Sequence, residues 1–177
     1  MDSFLKAAGV LYFVAVALAV VSLALPEWVV SAEREDLRLG LLQHCQQIHG
    51  RPMQCDYRYP SDGPVSWIFA AVLIVLGVVA LTIGMVMIAL SDKVPQLRRY
   101  PKYLGLMSWS LFCLAIVMFP AGFDLPIIGG ESFLLPSSAK TGISYGLFFT
   151  GILCTVCGAV LALGRMYFAM IVWRGHT

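Results

Sequence analysis

The side chains able to do chemistry in this 177-residue sequence are few: five cysteines, three histidines and ten acids. Cys45 and Cys55 stand in a polar stretch with nine residues between them, and His49-Gly50-Arg51-Pro52 forms an evident turn inside that interval. On the outer side of a secretory-pathway membrane such a pair oxidises by default. It would then staple a β-hairpin across its base, and closing a loop of that length stabilises by about 3 kcal/mol in the chain-entropy model. Cys154 and Cys157 form a C-x-x-C inside an apolar run. A loop pair and a helix pair together are the parts needed to relay electrons by thiol–disulfide exchange. Depth argues against a relay, because Cys154 lies roughly 16 Å below the outer end of its run, at 1.5 Å per residue. A thiolate is costly in hydrocarbon, and buried cysteines usually behave as small hydrophobes. His44 and His49 flank Cys45, but without a neighbouring acid or spare thiol they do not make a metal site. No nucleophile–base pair, phosphate-binding loop or pair of intramembrane carboxylates stands out. The expectation is binding without catalysis, metal or cofactor.

The elements that carry these residues follow from composition. The chain is 59% hydrophobic and 12% charged, about half the charge of a typical soluble domain. A soluble fold of this size could not hide that much apolar side chain, so the solvent is lipid. Four runs are long enough to cross a bilayer: 7–25, 65–90, 104–123 and 143–163. They reach roughly 28–39 Å against a hydrocarbon core of about 30 Å. The first carries Lys6 but is long for a signal-peptide core, and Leu25-Pro26-Glu27-Trp28 is a poor cleavage site, so it reads as a retained helix. The predicted architecture is one unit over 1–177, a four-helix membrane bundle with outer loops 26–64 and 124–142. With no Asn anywhere, N-glycosylation is excluded.

Charge predicts the orientation. The N-terminal segment, residues 91–102 and the tail hold Lys6, Lys93, Arg98, Arg99, Lys102, Arg165 and Arg174 against Asp2 and Asp92. The opposite side holds Arg34, Arg38, Arg51, Arg58 and Lys140 against the other eight acids. The positive-inside rule then places both termini in the cytoplasm and the long loop outside. No acid interrupts any of the four runs, which weighs against a proton-coupled pump. Membrane lipid is the first expected partner, and nucleic acid is not one.

Within the long loop, Trp28-Val29-Val30 is β-prone, and Leu37, Leu39 and Leu41 alternate as a strand does. Pro26 and Trp28 mark the outer interface, where the indole is expected to lie among headgroups with its N–H wet. The second outer segment offers a further strand over Ser132–Leu135. Gly77, Ala80 and Gly84 on the second helix, and Gly158 and Ala162 on the fourth, permit close helix packing.

These features resemble the claudin-like tetraspan superfamily. The resemblance rests on Pro26-Glu27-Trp28 and on Gly40-Leu41-Leu42-Gln43-His44-Cys45 followed by Cys55. Within it, the sequence is most similar to the attenuator of hedgehog family, also described as modulators of smoothened. That similarity is carried by Gly40-Leu41, by Cys45-Gln46-Gln47-Ile48-His49-Gly50-Arg51, by Phe119-Pro120-Ala121-Gly122-Phe123, and by the segment from Gly142 to Phe148. The claudin pattern is broken at Leu42, where the signature has tryptophan, and at Gly175-His176-Thr177, which lacks an apolar last residue.

The resemblance implies a fold of four transmembrane helices under a small extracellular antiparallel sheet, with Pro26, Trp28, Gly40 and Leu41 as its signature and a Cys45–Cys55 disulfide. It implies an adaptor at the plasma membrane that attenuates Hedgehog signalling by lowering surface levels of a Smoothened-type receptor. The implied partners are a single-pass ectodomain protein and a ubiquitin ligase complex, and the candidate contact residues are Ile48, His49, Gly50, Arg51, Phe119, Pro120 and Phe123. Two other readings are a claudin-like junction or channel-auxiliary protein, and a thiol–disulfide oxidoreductase whose two-pair layout resembles vitamin K epoxide reductases.

Overall fold

The computed structural model describes residues 3–31, 37–47, 52–57, 64–123, 131–135 and 139–174, with the side chains of the last helix described as far as residue 164. Four helices dominate: α1 (Ser3–Ala24), α2 (Val65–Leu90), α3 (Pro101–Met118) and α4 (Ile143–Arg174). Five short strands, β1 (Val29–Ser31), β2 (Leu37–Leu39), β3 (Gln43–Gln46), β4 (Gln54–Tyr57) and β5 (Ala139–Thr141), join in one sheet of order β4-β3-β2-β1-β5. Every pairing is antiparallel. Each helix is long and apolar enough to cross a membrane, and the third candidate span begins before α3, at Pro95. The protein is a multi-span membrane protein, a four-helix bundle with a small antiparallel sheet at one end.

The helices pack as a ring in which α1 meets α2 and α4, and α3 meets α2 and α4. On α1 the buried positions are Leu5, Ala8, Tyr12, Ala15, Ala19, Ser22 and Leu23. Their alternating spacing of three and four is the seam of a left-handed packed helix pair. Small side chains hold that seam, while Val10 and Phe13 on the opposite face are more than 60% exposed. Such an arrangement suits lipid: apolar surface costs nothing outside, so association rests on close packing and on hydrogen bonds between helices. Three such bonds tie the ring together. Tyr12 Oη donates to the Pro101 carbonyl at 3.2 Å, Ser22 Oγ to the Ser144 carbonyl at 2.8 Å, and Ser108 Oγ to the Gly77 carbonyl at 2.8 Å.

Several boundaries differ from those read in the sequence. Helix α3 stops at Met118 and yields to a 3-10 turn over Pro120–Gly122, because Pro120 has no N–H to continue the ladder. It starts at Pro101, where a proline in the first turn removes a donor that would have no partner anyway. The fifth strand is Ala139–Thr141 and not Ser132–Leu135. Glu131 and Leu134 instead bridge a tight turn whose third residue, Phe133, has φ 65°. A left-handed residue cannot extend a strand.

Candidate functional site: the stapled sheet and its aromatic seat

The sheet grows directly out of the end of α1. Pro26 ends the helix, and Gly40 crosses it so closely that a Cβ there would lie 2.8 Å from Pro26 Cα and 3.0 Å from the carbonyls of Leu25 and Gln43. Only glycine fits this crossing. Its N–H donates to the Gln43 carbonyl at 2.9 Å, closing the turn from β2 into β3. Leu41 in that turn is buried and Leu42 is 46% exposed, so the position that carries tryptophan in the claudin pattern faces outward here.

Trp28 is not in the headgroups. The indole is fully buried, and its Nε1 donates to the Ser22 carbonyl at 2.8 Å. The backbone on either side is paired as well: Trp28 N donates to the Leu39 carbonyl at 2.9 Å, and its own carbonyl accepts from Gly142 N at 3.0 Å. The ring sits among Phe119, Phe148 and Tyr145 at centroid separations of 4.8, 5.5 and 5.8 Å. The sheet thus closes over the residue that composition alone places at an interface. A carbonyl at the helix end, otherwise without an intrahelical partner, takes up its N–H.

The disulfide links Cys45 on β3 to Cys55 on β4, residues directly opposite in the ladder. Next along that row, Cys45 faces Arg38 on β2, and the Arg38 guanidinium forms an ion pair with Glu27 just ahead of β1. Two cross-links, one covalent and one ionic, therefore tie β3 to β4 and β2 to the chain just ahead of β1. Ser144, at the start of α4, adds a third by donating its backbone N–H to the Glu27 carbonyl at 3.0 Å and accepting from Glu27 N at 3.2 Å.

The chain leaving α3 is seated on the same aromatic cluster. Trp67 Nε1 donates to the Phe119 carbonyl at 2.9 Å and its ring stacks on Phe119 at 5.0 Å, while Phe123 meets Phe119 edge-on at 5.3 Å. Phe119 and Phe123 are both buried, and Pro120 is half-buried. The two rings named from sequence as partner contacts thus point into the bundle, where aromatic packing in a water-free seat holds them. Ile48, His49, Gly50 and Arg51 lie outside the described residues. What this end of the molecule does present is Phe133 and Leu134, 64% and 63% exposed. Their turn is pinned by Phe133 N donating to the Pro120 carbonyl at 2.9 Å and Leu134 N to the Glu131 carbonyl at 2.9 Å. The sequence reading missed them as a surface because nothing in Ser132–Leu135 announces a left-handed Phe133.

The remaining cysteines are unpaired. Cys154 is half-buried and Cys157 exposed on α4, Cys113 is half-buried on α3, and all three are free thiols. Among the described residues no cluster of three or more His, Cys, Asp or Glu is placed to hold a metal ion.

Four spans, a disulfide-stapled sheet built mostly on the loop between α1 and α2 and a Pro-x-Trp seat define a claudin-like tetraspan membrane protein. A family model described as Attenuator of Hedgehog matches residues 25–166, which take in the entire sheet, α2, α3 and most of α4. The chain belongs to the attenuator of hedgehog family, and its role is regulatory, in the modulation of Hedgehog and Smoothened signalling.

Proposed function

We propose that this chain is a membrane adaptor at the plasma membrane that lowers the surface level of a Smoothened-type receptor. It does so with a single-pass ectodomain protein and a ubiquitin ligase complex, the partners that the family resemblance implies. Both termini face the cytoplasm, in keeping with the concentration of Lys and Arg on their side of the bilayer. The observation that carries this reading is the family match, which runs through both outer segments. The stapled hairpin and the second outer segment meet the partner's ectodomain or the top of its membrane helix, with Ile48, His49, Gly50 and Arg51 as candidate contacts. Exposed apolar side chains at Leu42, Phe133 and Leu134 support contact through this end, since apolar surface held in water is a common mark of an interaction site.

Affinity purification from intact cells tests the proposal. Cys45→Ala unstaples the hairpin and should reduce recovery of the ectodomain partner while the protein still reaches the surface. It should also raise receptor at the surface and sensitise a Hedgehog reporter. Unchanged partner recovery with intact surface delivery would overturn the docking model. Phe133→Ser/Leu134→Ser probes the second segment without touching the disulfide.

A further inference from the structure

The turn between α2 and α3 holds more positive charge than its own acid neutralises. Residues 91–102 carry Lys93, Arg98, Arg99 and Lys102 against Asp92. Two of these cations are engaged internally. Arg98 Nε donates to the Ser91 carbonyl at 3.1 Å and its guanidinium lies 3.9 Å from the Asp92 carboxylate. Lys102 is buried, with its ammonium 4.6 Å from the centre of the Tyr103 ring. Lys93 and Arg99 remain exposed, one before and one at the end of the 3-10 segment Pro95–Arg99. Beside them Val94, Tyr100 and Tyr103 are 45%, 47% and 56% exposed.

This surface is pre-built. Val94 N donates to the Leu90 carbonyl at 3.0 Å, Leu97 N to Val94 at 3.1 Å and Tyr100 N to Leu97 at 3.3 Å. Pro95 and Pro101 fix the backbone at both ends. The segment joins the end of α2 to the start of α3, which puts it at the boundary of water and lipid.

We propose that this turn is a recognition surface for anionic phospholipids of the leaflet it borders. Lys93 and Arg99 meet headgroup phosphates, and the Tyr100 and Tyr103 rings lie among the headgroups. A guanidinium matches phosphate oxygens in a fork, an ammonium acts as a point charge, and tyrosine suits a site with one apolar and one wet side. Because the backbone is already ordered, little conformational freedom is lost on binding. A topology signal needs only the charge. The exposed valine and tyrosines beside it favour a lipid over an acidic peptide. The orientation proposed above decides only which leaflet is meant, the cytoplasmic one.

Native mass spectrometry of the full chain in detergent, titrated with phosphatidylserine, phosphatidylinositol bisphosphate or phosphatidylcholine, tests this with both sides of the protein accessible. A failure of the orientation therefore leaves the binding result standing. The two anionic lipids should be retained in preference to phosphatidylcholine. Lys93→Gln/Arg99→Gln should weaken phosphatidylserine retention by about 25-fold, roughly fivefold per charge. Lys140→Gln, on β5 of the sheet, should leave it unchanged, and Lys93→Arg/Arg99→Lys should keep the preference. Equal retention of the three lipids by the parent chain, binding of an acidic peptide in place of lipid, or an equal loss in Lys140→Gln would each overturn the proposal.

Discussion

Trp28 joins three structures through one side chain and its own backbone: the end of α1, the first strand and the aromatic floor of the sheet. Its substitution separates those contributions. Trp28→Phe keeps an aromatic ring against Phe119 and Phe148 but deprives the Ser22 carbonyl of its donor. The cost is that of a buried polar group left unpaired, about 1–3 kcal/mol. Trp28→Ala also empties the seat and should cost about 3–5 kcal/mol. Thermal unfolding of purified protein in detergent should rank the parent above Trp28→Phe and that above Trp28→Ala. A Trp28→Phe protein as stable as the parent would remove the hydrogen bond from the account. The Pro26-Glu27-Trp28 motif was plain in the sequence, and so was its place just past the end of the first span. Its burial was not, because that depends on β2, β5 and the ends of α3 and α4 arriving from distant parts of the chain.

Among the elements, legibility follows how local the cause is. The four helices are uninterrupted apolar runs, so their existence and number can be read directly. Their ends depend on single residues: Pro120 cuts α3 short, and α4 continues to Arg174 past Arg165, where a charge-free run stops but helical bonding does not. Strand β5 reads as nothing in particular, since Ala139-Lys140-Thr141 has no apolar alternation. It is a strand because Val29, Val30 and Ser31 offer it a free edge. The small-residue face of α2 was legible, and the structure gives it a partner. A Cβ on Gly77 would run into the Phe112 ring, and the Gly77 carbonyl takes the Ser108 hydroxyl. Gly77→Ala should therefore push α3 away and destabilise the bundle by about 1–3 kcal/mol, the range for overpacking. Phe112→Leu in the same chain should restore part of that loss. In a double-mutant cycle by thermal unfolding, strictly additive effects would show that the two helices do not meet at this point.

At the scale of the whole molecule, the two ends of the bundle differ in kind. One carries the stapled sheet and the exposed Phe133-Leu134 turn, the other the rigid turn between α2 and α3; in the sequence, the segments on the sheet's side of the four runs hold eight of the ten acids and those on the other side seven of the twelve basic residues. The same asymmetry on which the proposed orientation rests also sorts the proposed partners, with proteins at the sheet and anionic lipid at the basic turn. Orientation is therefore the property on which the functional scheme turns, and the sequence supplies a clean background for measuring it, because it contains no Asn. An Asn-Gly-Ser insertion between Gly50 and Arg51 should acquire a glycosidase-sensitive mobility shift in cells. The same acceptor, joined by a flexible linker to Thr177, should not. Glycan on the C-terminal acceptor and none at the hairpin would invert the molecule. It would move the stapled sheet away from any ectodomain partner and bring the basic turn to the outer leaflet, where anionic lipid is scarce.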